Sequence, residues 1–270
     1  MALDTVLINR FSFSSLNAAN AIGLLGMVNE LVMLKKELRN HQSLENRVKV
    51  IEITQRISQK IDRAALEILS VSSEMDCEVE RAEQIANYLK GKQDDAATKL
   101  TVGAIVVGAS AAIATGILLG SDNDSKAPEI IGISAGITEA TLGFLILKNN
   151  RKVEFLHPRN ALKEIESGPE VSTIFPPSVW YYLKYENPDK PGTSLRQQLI
   201  DQWIGFGEVL KMKEKEREEV YALYLGKGGK YSADQLAKRA NMYDQIEAYI
   251  NLMKQDLMRL TTEIEKLNRE

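Results

Sequence analysis

A single cysteine, Cys77, stands among 270 residues, so no intramolecular disulfide can form. Two histidines, His41 and His157, leave little material for a zinc site, and no metal ligands are assigned. Neither sign of charge dominates. Lys plus Arg is 34 and Asp plus Glu is 37, a net charge of −3, which gives no electrostatic case for nucleic acid as a partner. Aromatics are only 6% of the chain, and six of the seven prolines fall in one stretch. What is present, 44% hydrophobic and 26% charged residues, suits a folded chain rather than a disordered one.

The small charge imbalance is not spread evenly. Residues 1–99, 148–204 and 205–270 are nearly balanced, whereas 100–147 holds one basic residue, Lys126, against Asp122, Asp124, Glu129 and Glu139. That stretch is otherwise apolar, and so sharp a change in composition marks a boundary on each side. Four regions follow: an N-terminal helical region (1–99), an apolar hairpin (100–147), a loop-rich aromatic cap (148–204) and a C-terminal helical, coiled-coil region (205–270).

The first ten residues do not read as a signal peptide, since Asp4 occupies the place of a basic n-region. Either the protein is made without export, or Met1-Ala2 replaces a removed leader and Leu3 lies near a mature start. The run Thr5-Val6-Leu7-Ile8 suits a strand or a tail packed on a helix. After Ser14 and Ser15, both good N-caps, residues 16–40 read as one helix ending in Lys35, Lys36 and Arg39. Gly23 and Gly26 weaken it.

Residues 44–90 read as a long helix. Its inward positions from Ile61 are Ala65, Ile68, Ser72, Met75, Val79, Ala82, Ala86 and Leu89, with gaps that alternate four and three. The last helix begins with a capping-box pattern at Ser232 and Gln235. Leu236, Tyr243, Ile250, Leu257 and Ile264 then recur every seven residues, and Ile246, Met253, Leu260 and Leu267 repeat the period. The chain supplies its own matching helix, so an intramolecular pairing is expected over one with another chain.

Between them, Pro158, Pro169, Pro176, Pro177, Pro188 and Pro191 prevent a long helix before about Leu195. Phe155, Phe175, Trp180, Tyr181, Tyr182, Tyr185 and Trp203 gather in the same stretch. These rings are expected to pack against the helices. The rival reading is a protein-binding surface through Trp180, Tyr181, Tyr182 and Tyr185, since Trp and Tyr favour binding hot spots.

The apolar region has its own pattern. Leu100 to Gly120 is 21 residues without a formal charge, and Ile130 to Leu147 is 18 interrupted only by Glu139. As helices these reach about 31 and 27 Å, close to the ~30 Å hydrocarbon thickness of a bilayer. The link from Ser121 to Glu129 is polar and turn-forming. Ala104, Gly108, Ala112, Gly116 and Gly120 fall four apart on one face, as do Gly132, Gly136 and Ala140 on the second. Such rows let helix backbones meet closely where no hydrophobic effect acts between them. Lys90, Lys92, Lys99, Lys148, Arg151 and Lys152 flank the hairpin, so insertion would keep both large regions on the cytoplasmic side. Glu139 is then an intramembrane carboxylate. The same composition also suits a hairpin buried in a large helical bundle, with Glu139 neutralised by a partner.

No nucleophile–base arrangement is evident, and no enzyme activity or cofactor is expected. The acids around Cys77 (Glu74, Asp76, Glu78 and Glu80) disfavour a thiolate and read as a solvated helix face. Leu225 to Lys230 resembles a phosphate loop, yet no Ser or Thr follows a Gly-Lys pair, so it reads as a turn between helices. His157-Pro158-Arg159-Asn160 is too common a set to assign an anion site. Lys211 to Glu219 alternates charge as a solvated helix does.

Long amphipathic helices at 44–90 and 232–268 around one Gly/Ala-rich hairpin resemble the layout of helical pore-forming toxins of the cytolysin A and haemolysin BL type. That resemblance implies an apolar head sheltered in the soluble form and released at a membrane. It rests on element order and carries no family residues over. The expected fold is mainly α: long antiparallel helices forming a bundle or coiled-coil stalk, a central apolar hairpin and an irregular proline- and aromatic-rich segment. The expected role is non-catalytic. The hairpin enters a lipid bilayer or drives self-association, and the protein is membrane-associated, at the cell envelope or secreted if a leader was removed and otherwise on the cytoplasmic side. The alternative is a soluble helical scaffold with the hairpin buried permanently.

Overall fold

The computed structural model describes residues 5–91, 152–186, 193–206 and 214–269. The expected apolar hairpin, with Ala104, Gly108, Ala112, Gly116, Gly120, Gly132, Gly136, Glu139 and Ala140, lies outside them. The described chain is mainly helical: α1 (Thr5–Ile8), α2 (Phe13–Ala21), α3 (Leu25–Asn40), α4 (Leu44–Gly91), β1 (Lys152–Leu156), α5 (Ala161–Ser167), α6 (Pro177–Lys184), α7 (Leu195–Phe206), α8 (Glu214–Leu225), β2 (Gly228–Ser232) and α9 (Ala233–Arg269). β1 and β2 form an antiparallel pair, with Val153 opposite Tyr231 and Phe155 opposite Gly229.

Several expectations need correction. Residues 5–8 form a single helical turn rather than a strand. The helix expected over 16–40 is two helices, because Gly23 adopts φ +66 and ends α2, a conformation most side chains avoid. Its N-cap is Ser12, whose hydroxyl accepts from the Ser15 N–H, and not Ser14 or Ser15. The segment around Gly226 is more than a turn between helices, since β2 starts at Gly228. There φ is +102, and a Cβ would lie 2.2 Å from the Phe155 carbonyl oxygen. The aromatic stretch holds β1 and short helices. Pro177 sits in the first turn of α6, where its missing N–H costs nothing, and α7 starts at Leu195, past the last proline.

The chain forms two compact units. One comprises Met1–Leu69, Val171–Leu195 and Ala248–Glu270; the other comprises Ser70–Glu170 and Arg196–Glu247. Both long helices contribute residues to each. Along α4, Ile68, Ser72, Met75, Val79, Ala82 and Ala86 are buried as expected, while Ile61, Ala65 and Leu89 are half-buried. Ala64, Val71 and Ile85 widen the buried stripe beyond a strict seam. On α9 every expected heptad position is buried within the single chain: Leu236, Tyr243, Ile246, Ile250, Met253, Leu257, Leu260, Ile264 and Leu267. Each aliphatic one contributes roughly 1.5–3 kcal/mol relative to exposure. The capping box forms in both directions. The Ser232 N–H donates to Gln235 Oε1 (2.8 Å), and the Gln235 N–H donates to Ser232 Oγ (3.2 Å).

In the first unit the aromatic run turns inward. Trp180 stacks on Phe175, with centroids 5.4 Å apart and planes 6° from parallel. The Tyr182 hydroxyl donates to Asp256 (2.7 Å), and burial together with that carboxylate raises its pKa. Tyr181 accepts from Asn20 Nδ2, while Tyr185 packs beside Phe13 and Tyr181. Trp180 and Tyr182 are buried, whereas Tyr181 and Tyr185 are half-buried.

Candidate functional site

The second unit holds the two chain ends that flank residues 92–151: the last turns of α4 and the strand β1. Alternation in Lys-Val-Glu-Phe-Leu sends Val153 and Phe155 inward, which brings β1 against α4. Arg81 Nη2 donates to the Leu156 carbonyl oxygen, and the same guanidinium lies over the Phe155 ring, 4.2 Å from its centroid. Farther along, Arg159 donates twice to the Glu74 carboxylate (2.8 and 3.2 Å), a bidentate pair. Residue 156 therefore meets residue 81 and residue 159 meets residue 74. Rising numbers on one side meet falling numbers on the other, so β1 starts toward the end of α4 from which the chain departs.

Beneath this contact lies a partly buried cluster of charge. Glu78 accepts from Arg81 (2.7 Å) on one oxygen and from Arg239 (3.2 Å) on the other. Arg239 is 1% exposed, and its Nη2 also donates to the Tyr243 hydroxyl (3.1 Å). Its guanidinium lies 4.4 Å from the Tyr243 ring centroid and 5.6 Å from that of Phe155. Two cations thus share one carboxylate, and tyrosine and phenylalanine faces supply the remaining stabilisation. Nε and Nη1 of Arg239 have no hydrogen-bond partner among the described residues.

The turn after β1 is secured residue by residue. The His157 N–H donates to the Lys227 carbonyl (3.1 Å). The Tyr231 hydroxyl spends its proton on the Leu223 carbonyl (2.7 Å), so His157 Nε2 must donate to the Tyr231 oxygen (2.9 Å). Burial, with Arg239 adding to it, pushes the His157 pKa down to about 3, and the ring stays neutral at physiological pH. Asn160 caps α5 by accepting from the Lys163 N–H, and its amide donates to the carbonyls of Tyr224 (2.7 Å) and Gly226 (3.1 Å). The Ala161 N–H donates to the Tyr243 hydroxyl (3.1 Å). His157, Arg159 and Asn160 are therefore joints of the scaffold.

Cys77 is half-buried. Burial first, then Glu78, raises its thiol to about 11, so it stays protonated at neutral pH. Glu78 departs from the expected solvated acidic face, because it faces the two arginines. Arg239 is the residue that sequence reading passed over. The second heptad series, 246, 253, 260 and 267, extends one period back to 239, which places the guanidinium in the seam. β1 was missed as well, although its two-residue alternation was readable.

Among the described residues no group of three or more His, Cys, Asp or Glu side chains could hold a metal ion. No described helix is long and apolar enough to cross a membrane. No protein-family model, curated protein or solved structure matches the chain.

Proposed function

We propose that this is a non-catalytic helical protein that uses its apolar segment, residues 100–147, for membrane insertion or self-assembly, with the described helices as its holder. One observation supports this above the others. Residues on the two sides of 92–151 are fastened together through Arg81, Leu156, Arg159 and Glu74, over a partly buried Glu78–Arg239 pair. A base of this kind closes an excursion of the chain and holds α4 and β1 together independently of what the excursion does. The apolar composition and the small-residue rows Ala104–Gly120 and Gly132–Ala140 supply the contact chemistry. Glu139 is the one carboxylate within the two apolar runs, 100–120 and 130–147, and its neutralisation would accompany insertion.

Flotation of the full chain with anionic liposomes tests the reading. The parent protein is expected to float with the vesicles, and Gly108→Leu and Gly116→Leu to abolish flotation and assembly while the helical circular dichroism remains. Flotation and assembly unchanged in both variants would refute the small-residue mechanism.

A further inference from the structure

The N-terminal turns of α4 carry apolar residues on two opposite faces. Ile53 and Ile57 are buried, as the interior requires. Leu44, Val48 and Ile51 lie about half a turn away at spacings of four and three, and they are 79%, 45% and 65% exposed. Three large apolar side chains in one row form a contiguous patch rather than singly scattered exposure. The charges beside the row are ordered too. With Leu44 and Ile51 at d positions and Val48 at a, Arg47 falls at g and Glu52 at e of the next heptad. Both are exposed, and neither has an ion-pair partner among the described residues. Glu45 is already occupied by Lys49 (2.6 Å).

We infer that the outer face of α4 at Leu44, Val48 and Ile51 is a self-association surface that pairs with the same face of a second copy in parallel. Charge selects both partner and orientation. In a parallel pair each g residue meets the e residue five positions on in the other helix, so Arg47 meets Glu52 twice about the two-fold axis. In an antiparallel pair, g faces g and e faces e, which sets Arg47 against Arg47 and Glu45 against Glu45 in one register and Glu45 against Glu52 in the other. Three side chains cover far less than the ~1,200 Å² of a stable complex, so this contact is weak and populates at high protein concentration.

Sedimentation equilibrium of the full chain over a concentration series tests it. A monomer–dimer equilibrium is expected, with Ile51→Glu abolishing the dimer. Arg47→Glu and Glu52→Arg should each weaken it about fivefold, and the double variant should restore it, since paired exposed charges are worth up to ~1 kcal/mol each. In a Cys77→Ser background, Ile51→Cys should form an intermolecular disulfide under oxidation. A parent chain that stays monomeric at every concentration, or single and double reversals that behave alike, would overturn the proposal. Liposome binding lost in Ile51→Glu with self-association intact would assign the face to lipid and overturn it equally. Gly108→Leu leaves this dimer unchanged, which separates it from assembly through the apolar segment.

Discussion

The two halves of α9 are held by different physics. From Ile250 to Leu267 the seam is aliphatic, with Ile250, Met253, Leu257, Leu260, Ile264 and Leu267 all buried. From Leu236 to Ile246 the same heptad carries Arg239 and Tyr243 in its interior, tied to Glu78 and to the turn after β1. An aliphatic seam tolerates a slide by one heptad at modest cost, because every layer resembles the next. A guanidinium that must meet one carboxylate admits a single register, as a lone buried polar residue does in a coiled coil. The aliphatic half supplies burial, and the polar half specifies where β1 and α5 attach.

The sharpest way to break this comparison is to unbalance the charges. Glu78→Ala leaves Arg239 buried without its acid and should cost about 3–5 kcal/mol in urea unfolding, whereas Arg239→Met keeps the Arg81–Glu78 pair and should cost about 1 kcal/mol or less. Equal losses would mean that charge balance does not govern this half. Truncation in the aliphatic half is expected to be nearly as severe. Leu260→Ala should cost about 2–5 kcal/mol from lost burial and the cavity left behind, with no dependence on pH between 5 and 8. A third effect is confined to the polar half and is smallest near neutral pH. The folded chain holds His157 neutral down to about pH 3, while the unfolded chain takes up a proton near 6.5. Its contribution is therefore complete above pH 6.5 and is lost on acidification toward 3, at up to about 1.4 kcal/mol per pH unit. His157→Gln should flatten that part of the stability–pH curve, and an unchanged slope would show that another group carries it.

The parts of the fold that were legible share a cause. α4, α9 and the capping box are written in local periodicity, and a helix that buries one stripe must repeat its apolar residues at that period. The break at Gly23 was half legible. A glycine weakens a helix, but only the surroundings decide whether the chain turns left-handed there. β1 and β2 were harder to see, because five-residue strands separated by more than seventy residues signal their pairing only when the chain brings them together. The aromatic run at 180–185 was ambiguous for the same reason: Trp and Tyr suit a binding surface or an interior equally, until Phe175, Asn20 and Asp256 are found beside them.

Periodicity therefore determined the mainly helical class, the two long helices and their buried faces, and composition the apolar character of 100–147, since each is written in neighbouring residues. Only the tertiary structure decided that Glu78 serves two arginines and that His157 is locked as a neutral joint. Each of those depends on desolvation by distant segments, which no local pattern encodes.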